Sequence, residues 1–272
     1  LCGCSMPAAP NTVVLPQTPA ENHTESAPAS AEPAQTTPET NAFHLEYEQT
    51  ALPEPLSSVT ALTMLEETLL LGGVSETGLA LVRLTPEGRS EELPLPGSTE
   101  YLYALCPDGA GGAWLLCGSL PKGYFDAFGN FRFLSQEPEG KLALAHYDAA
   151  FALQEIVLLQ TLYTDRFFQL RRLDGGFCMM SASLLVRLDE TGAETARQSL
   201  DAKDGWSFAA MQETDGVLYA LTQNFYEIEL PELRKFTPDT LSALESDVCT
   251  SEITGLGLRA DGRLLMGNSE EL

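Results

Sequence analysis

The chain has 272 residues, of which 44% are hydrophobic, so it can bury one large core or two smaller ones. Its formal net charge is −24, from 39 acidic and 15 basic residues. This balance excludes nucleic acid as a partner, because binding phosphates requires clustered Lys and Arg, and it disfavours contact with an anionic membrane surface.

The first five residues, LCGCS, resemble the lipobox of bacterial lipoproteins, in which Leu, a variable residue and a small residue precede an invariant Cys. The resemblance implies that Cys4 carries a diacylglyceryl thioether and becomes the mature N-terminus. A small residue such as Gly3 before the cut fits the logic of signal cleavage. Residues 1–4 are therefore interpreted as a signal remnant. The protein is predicted to be exported and anchored, through the lipid on Cys4, on the outer face of the bacterial cell membrane.

Residues 5–42 are rich in Pro, Ala, Thr, Ser and Glu, and they contain no Gly and no aromatic residue. Nine of the 17 prolines precede residue 56, and no Lys or Arg precedes Arg83. Such a segment buries too little apolar surface to fold. We therefore predict a disordered acidic tether over residues 5–42 and a folded domain over residues 43–272.

The folded part contains an internal repeat. LVRLTPEG runs from Leu81 to Gly88, and LVRLDETG runs from Leu185 to Gly192. Weaker copies occupy residues 146–151 and 235–240. Each copy consists of an apolar strand, then Thr, Asp or a similar turn former, then a tight turn and another strand.

A second recurring signal precedes these copies. It consists of two strands joined by an acidic or Asp-Gly turn, which is a strong hairpin cue. The acids in these turns are Glu67, Asp108, Asp174, Asp215 and Asp261. One unit therefore spans about 41–48 residues and holds four short strands, without helical periodicity. The pattern predicts an all-β fold, a β-propeller of four-stranded blades. The alternative is a generic all-β meander or sandwich.

Four complete blades are predicted, over residues 58–97, 98–160, 161–204 and 205–250, and a fifth begins near residue 252 and stops after its second strand. Because a half-built blade exposes an unpaired strand edge, we expect the chain to be a fragment of a larger ring. Residues 43–52 have the pattern of an outer strand that would close such a ring, or else of an ordinary entry strand.

Two long loops, at 120–140 in the second blade and at 223–233 in the fourth, follow the second strands of their blades. Long loops on a rigid scaffold usually carry binding, and aromatic rings with a few charges suit a small molecule, a glycan or a protein. The candidate binding residues are Tyr124, Phe125, Asp126, Phe128, Phe131, Arg132, Phe133, Phe225 and Tyr226. In the alternative interpretation, the first loop is an extended hairpin whose rings pack on a neighbouring blade or on a missing domain.

The sequence contains no G-x-S-x-G, H-E-x-x-H or P-loop pattern and no His and Cys at metal-ligand spacing, so neither a metal nor a cofactor is predicted. His146 is the one His within a blade, and no acid pairs with it recognisably in the sequence. We therefore expect a protein that is not an enzyme. Four cysteines spaced like core residues are predicted to be free and buried: Cys106, Cys117, Cys178 and Cys249.

Together these features predict a non-enzymatic cell-surface lipoprotein whose propeller binds a ligand or another protein. The layout resembles the N-terminal part of certain Gram-positive surface lipoproteins, some of which continue into a solute-binding domain that serves an ABC transporter. Two alternatives stay open. One is an extracellular propeller hydrolase or lyase, and the other is an assembly scaffold lipoprotein of the outer membrane.

Replacing the lipobox cysteine tests the predicted anchor. In the full precursor, Cys4→Ser should abolish partitioning into the membrane fraction, because the thiol that accepts the lipid is gone. The matched variant Cys2→Ser should stay on the membrane. Cell fractionation with immunoblotting measures both, and a Cys4→Ser protein that remains on the membrane would show that the lipobox interpretation is wrong.

Overall fold

The computed structural model describes residues 52–97, 99–119, 123–125, 131–133, 141–163, 165–200, 205–224, 229–249, 253–258 and 262–267. All of them belong to the second of the two compact units into which the chain divides, Thr50–Leu272. These residues form strands and no helix, and so they provide no helix long and apolar enough to cross a membrane. The predicted lipobox and tether, and residues 43–51, lie outside the described residues.

The strands form four sheets of four antiparallel strands each, and two sheets of two strands. The first sheet contains β1 (Leu56–Leu65), β2 (Thr68–Ser75), β3 (Gly78–Leu84) and β4 (Ser90–Leu93). The second contains β5 (Tyr101–Pro107) and β6 (Ala113–Gly118), then, after a separate hairpin of β7 (Gly123–Phe125) and β8 (Phe131–Phe133), β9 (Leu142–Tyr147) and β10 (Leu153–Leu158). The third contains β11 (Phe167–Leu173), β12 (Gly176–Ser181), β13 (Leu184–Asp189) and β14 (Glu194–Ser199). The fourth contains β15 (Trp206–Thr214), β16 (Val217–Asn224), β17 (Glu232–Phe236) and β18 (Asp247–Val248), and β19 (Gly255–Leu258) pairs with β20 (Leu264–Gly267).

The first strand of each sheet contacts the first strand of the next sheet. β1 contacts β5, β5 contacts β11, β11 contacts β15, and β15 contacts β19. Sheets that follow one another around their first strands in this way are the blades of a propeller. The predicted β-propeller, with four complete blades and a two-stranded fifth, is therefore confirmed.

The second and third blades lie between complete neighbours and bury both faces, so their second strands are buried almost throughout instead of on alternate residues. All six residues of β12 are buried, and so are the first five of β6. Trp114 fills the space between the second and third blades, where the ring of Phe177 meets it edge-on at 4.8 Å. Trp206 is half-buried beneath the guanidinium of Arg234.

The repeated LVRL segments form the third strands of the first and third blades, and the turn after each strand has the same geometry. The amide of Gly88 donates to the carbonyl of Thr85 at 2.9 Å, and the amide of Gly192 donates to the carbonyl of Asp189 at 3.2 Å. Both glycines have φ of 77°, a left-handed conformation that glycine adopts without a steric penalty. The repetition in the sequence therefore records one turn that is built twice.

The second blade builds the same turn and the fourth blade a turn one residue longer, and both place a bulky residue at the left-handed position. Phe151 has φ of 61° and Leu241 has φ of 51°. This backbone conformation costs on the order of 1–2 kcal/mol in a residue with a Cβ. Packing offsets that cost, since Leu241 is fully buried and the guanidinium of Arg83 lies 4.4 Å from the centre of the Phe151 ring.

In all four complete blades, a basic residue precedes the last apolar residue of the third strand. These residues are Arg83, His146, Arg187 and Lys235. Two of them pair with an acid on the outer strand of their own blade: Arg83 with Glu91 at 3.5 Å, and Lys235 with Asp247 at 2.5 Å. These bases stabilise the scaffold, so the repeat itself does not mark a binding site.

Arg187 is the buried member of this set. Its guanidinium donates to the backbone carbonyls of Asp174, at 2.5 Å, and Phe177, at 3.1 Å, and also to that of Leu188. A side chain at Gly176 would collide with this guanidinium and with the Leu188 carbonyl. Gly176 is therefore required where the first hairpin of the third blade meets its third strand.

Asp108 and His146 form a pair that the sequence did not reveal, which corrects the expectation that no acid pairs with His146. One carboxylate oxygen of Asp108 accepts hydrogen bonds from the amides of Ala110 and Gly112, at 2.7 and 2.8 Å. The other lies 3.0 Å from Nε2 of His146, whose ring stacks on Trp114 with the ring centres 4.4 Å apart. The pair holds the first turn of the second blade against its third strand.

The Asp108 carboxylate predicts a pH-dependent contribution to stability. Burial alone would raise its pKa, but the hydrogen bonds from His146 and from the two amides outweigh burial, so the pKa lies below its ordinary value. A group whose pKa is depressed in the folded state stabilises the fold above its unfolded pKa of about 3.9 and loses that effect as pH falls through the folded pKa. Asp108→Ala should therefore cost about 1–3 kcal/mol at pH 7, and the difference from wild type should shrink below about pH 4.

Thermal unfolding between pH 3 and 7 measures this difference. The control is Glu92→Ala, which removes an exposed carboxylate on β4. It should leave the free energy of unfolding nearly unchanged at every pH. An Asp108→Ala effect that stays constant over this pH range would contradict the assigned role of the carboxylate.

Candidate functional site

Five of the candidate residues named from the sequence lie on the hairpin within the long loop of the second blade. Tyr124 and Phe125 are in β7, and Phe131, Arg132 and Phe133 are in β8, with Tyr124 opposite Arg132. The described part of this loop is thus a two-stranded hairpin. The other four candidates lie outside the described residues: Asp126, Phe128, Phe225 and Tyr226. The binding role of all nine stays a prediction.

Both long loops leave the propeller at the same end. β6 ends at Gly118, opposite Tyr101, the first residue of β5. β16 ends at Asn224, opposite Trp206, the first residue of β15. We call this end, where the inner strands begin, the insert face. The turns between first and second strands and between third and fourth strands lie at the opposite end.

A cavity of about 350 Å³ lies where the inner strands of the first three blades converge. It is lined by Val59, Thr60, Ala61 and Leu62 of β1, by Ala104 and Leu105 of β5, and by Phe168, Gln169, Leu170 and Arg171 of β11. We call it the axial pocket. Phe168 is the second residue of β11, so this wall of the pocket begins near the insert face.

A β-bulge recurs in the inner strand of each complete blade, and it shapes this pocket. The register with the second strand slips between Val59 and Ala61, and it slips at the equivalent places in β5, β11 and β15. The residues left without a register partner are Thr60, Tyr103, Phe168 and Ala209. Bulges redirect side chains and locally increase strand twist. Two of these four residues, Thr60 and Phe168, line the axial pocket.

Polar contacts between successive inner strands fix the walls of the pocket. The hydroxyl of Thr60 donates to the carbonyl of Leu102 at 2.9 Å, which joins the first blade to the second. Between the third and fourth blades, the side-chain oxygen of Gln169 accepts from the amide of Met211 at 2.6 Å. These bonds link chain segments about 40 residues apart, and they hold the blades at a set distance around the axis.

The pocket combines an apolar wall with a single charge. Leu62 is 63% exposed and Phe168 is 42% exposed, although both are large hydrophobic residues that usually avoid water. Arg171 is the one charged residue among the ten that line the cavity. A pocket with apolar surface and one polar anchor is typical of a site for a small ligand.

Arg171 is mostly buried and has few partners. Its Nη2 donates to the side-chain oxygen of Gln212 at 2.6 Å, while its buried Nε has no hydrogen-bond partner. Burial lowers the pKa of the guanidinium, and the nearby Cys106 opposes this shift. Because an arginine stays protonated even when its pKa is lowered, the pocket holds a partly desolvated positive charge.

Other arginines of the described residues have more or stronger partners within the chain than Arg171 has. Four of them form ion pairs with glutamates: Arg83 with Glu91, Arg172 with Glu190, Arg197 with Glu194, and Arg234 with Glu232. Arg187 is buried and donates to three backbone carbonyls, although its Nε, like that of Arg83 and of Arg171, has no partner. Arg171 has one neutral amide partner, so it is the strongest candidate in the described part of the chain for contact with an anionic ligand.

A second concavity lies at the opposite end of the propeller, between the first two blades. It has a volume of about 590 Å³, and its lining includes Met64, Arg83, Gly109 and Phe151. Its arginine already pairs with Glu91 and covers the Phe151 ring. Since its charge is satisfied within the fold, this groove is a weaker candidate than the axial pocket.

The described residues provide no activated thiol and no metal site. Cys106, Cys117, Cys178 and Cys249 are free and buried, as predicted. Burial raises the pKa of Cys106 and Cys178 to about 12 and that of Cys117 to about 11, so these thiols are neutral at physiological pH. Across the same part of the chain, no three His, Cys, Asp or Glu side chains are grouped so that they could hold a metal ion.

The sequence did not single out Arg171, although it contained a usable signal. In FFQLRRL, Gln169 and Arg171 alternate with the buried Leu170, which places two polar side chains on one side of an inner strand. The partner Gln212 follows 41 residues later, on the next inner strand. Only the arrangement of the blades brings the two together.

No family model matches the chain, and no curated protein matches it. Solved structures are similar in fold. The extracellular domain of BT4673 from B. thetaiotaomicron is 13% identical, with a TM-score of 0.48, over 82% of this chain and 27% of that one. The β-propeller domain of Cps50 (Swd1) from Myceliophteria thermophila is 16% identical, with a TM-score of 0.48, over 76% of this chain and 61% of that one.

Virginiamycin B lyase from Staphylococcus aureus is 11% identical, with a TM-score of 0.41, over 76% of both chains. At these identities the likeness concerns the fold alone. The chain spans only about a quarter of the length of the BT4673 extracellular domain.

The expectation that the chain is not an enzyme is wrong. The similar structures include virginiamycin B lyase and an exo-β-1,3-galactanase from Phanerochaete chrysosporium, so chains of this fold include enzymes. The physical reason lies in the architecture. Residues around a propeller axis come from different blades, so a catalytic set would be scattered along the sequence and would leave no short motif.

Proposed function

We propose that this chain is part of an exported, lipid-anchored bacterial protein whose propeller binds a small ligand in the axial pocket. The observation that carries the proposal is the partly desolvated Arg171 in a cavity with exposed apolar walls. A protein usually pairs a partly buried charge and usually covers large apolar side chains. A ligand with both polar and apolar parts would do both in this pocket.

The lipobox and the acidic tether support the cellular setting of the proposal. The lipid on Cys4 would hold the protein at the membrane, and the tether would let the propeller reach away from that surface. By the resemblance to surface lipoproteins, the captured ligand would be passed to a solute-binding component of an ABC transporter. Binding is also the first step of catalysis, so product analysis should accompany every binding test.

The aromatic residues of the second-blade loop would supply a further contact. Tyr124 and Phe131 belong to a hairpin that leaves the propeller at the insert face, where the Phe168 wall of the axial pocket also begins. We propose that residues of this hairpin also contact a bound ligand. A glycan or a protein partner is the alternative occupant of this surface.

Filling the axial pocket tests the proposed function. A panel of neutral and charged sugars, amino acids and organic acids would be screened by thermal unfolding of the 272-residue chain. A ligand present at about 100 times its Kd stabilises the fold by about 2.7 kcal/mol, which raises Tm by roughly 5–10 °C for a domain of this size. Leu62→Trp should abolish this rise, because the indole occupies the cavity.

The matched control is Leu158→Trp. Leu158 is 58% exposed on the outer strand β10 and does not line the pocket. This variant should keep the full ligand-induced rise in Tm. A panel in which no compound stabilises the wild type, or in which Leu62→Trp leaves the rise intact, would contradict binding in the axial pocket.

A further inference from the structure

We infer, on the basis of the ligand-binding role proposed above, that the axial pocket selects small monocarboxylates with an apolar body. A guanidinium has five N–H donors. Within the described residues, Arg171 forms one side-chain hydrogen bond, from Nη2 to Gln212, and its Nε is buried away from the cavity. A ligand in the pocket that accepts from the terminal nitrogens would add the partner that the charge lacks.

The guanidinium of Arg171 favours a carboxylate as the acceptor, by shape and by charge. A carboxylate matches the planar fork of a guanidinium and can accept two parallel hydrogen bonds. Four other arginines of the described residues already have a carboxylate partner from within the chain. Arg171 lacks one, so a carboxylate from the ligand would complete the interaction that the fold provides elsewhere.

The single charge of the pocket limits the ligand to one negative charge. Arg171 is the one charged residue that lines the cavity, so a dianion such as phosphate would leave a negative charge without a partner. The formal net charge of −24 adds a repulsive field for multiply charged anions. A monocarboxylate is neutralised by the guanidinium alone.

The apolar wall and the volume of the cavity determine the rest of the ligand. The exposed side chains of Leu62 and Phe168 face a cavity of about 350 Å³, and Ala104 and Leu105 close its wall. Ligand sites generally measure about 300–1,000 Å³, so this cavity suits one ring or a short aliphatic chain. Covering the two exposed side chains removes apolar surface from water, which favours an apolar body over a sugar.

Phenylacetate and its neutral isostere phenylacetamide test the inference. The two probes share the same ring and differ in the charged group. Isothermal titration calorimetry on the 272-residue chain at pH 7 should give a Kd for phenylacetate at least about tenfold lower than that for phenylacetamide, because the hydrogen bonds to Arg171 are then charge-assisted.

Two variants assign this preference to Arg171. Arg171→Gln should bind both probes equally, while Arg89→Gln, which removes an exposed charge far from the pocket lining, should keep the wild-type preference. Arg171→Lys retains the charge without the planar fork, so it should keep a reduced preference. Thermal unfolding checks that each variant is folded. If Arg171→Gln is unfolded, the reduced preference expected of Arg171→Lys is the deciding result.

The outcomes separate this inference from the proposed function. Equal binding of the two probes by the wild type, or an unchanged preference in Arg171→Gln, overturns carboxylate selection but leaves a ligand-binding pocket in place. Binding of neither probe also overturns the inference. In that case, the proposed function still holds if another compound stabilises the chain and Leu62→Trp blocks it.

Discussion

Burial of both faces of the blades that lie between neighbours is the constraint on which this structure depends. A blade such as the third, in which every residue of β12 is buried, has no face that tolerates water. It is stable only between two neighbours, and the side chains between blades must interlock. The cluster around Trp114 and Phe177 provides this contact between the second and third blades. The turns are fixed separately, by Asp108 with His146 and by Arg187 with its carbonyls.

The axial pocket is a consequence of the same constraint. Blades that pack face to face bring their inner strands together around an axis, and the hydrogen bonds of Thr60 and Gln169 set the spacing between those strands. The bulge in each inner strand turns selected side chains out of the regular pattern. Phe168 is exposed into the pocket for this reason, and Arg171 lies beside it with a single neutral partner. The scaffold thus produces a cavity in which function can reside.

Much of the fold could be predicted from the sequence because the information is local. The two LVRL segments and the Asp-Gly turns identify hairpins, and their recurrence identifies blades. The side-chain pairs of the scaffold and of the pocket are not local. His146 follows Asp108 by 38 residues, and Gln212 follows Arg171 by 41, so neither pair forms a motif. The bulges leave no mark in the hydrophobic pattern, and their effect on Phe168 could not be foreseen.

The expectation of a protein without enzymatic activity failed for the same reason, since it relied on motifs that a propeller does not need. The choice of the long loops as binding regions rested on a general rule about loops. It stays a prediction for Tyr124 and its neighbours. The structure adds a site that this rule overlooks, in the middle of an inner strand, where a polar residue interrupts an otherwise apolar scaffold.

A crystal structure of the 272-residue chain with phenylacetate tests the central claim most directly. The ring is expected against Leu62 and Phe168, with the carboxylate oxygens about 2.7–2.9 Å from the terminal guanidinium nitrogens of Arg171. A ligand bound in the groove beside Met64 and Phe151, with Arg171 still bonded to Gln212 alone, would contradict it.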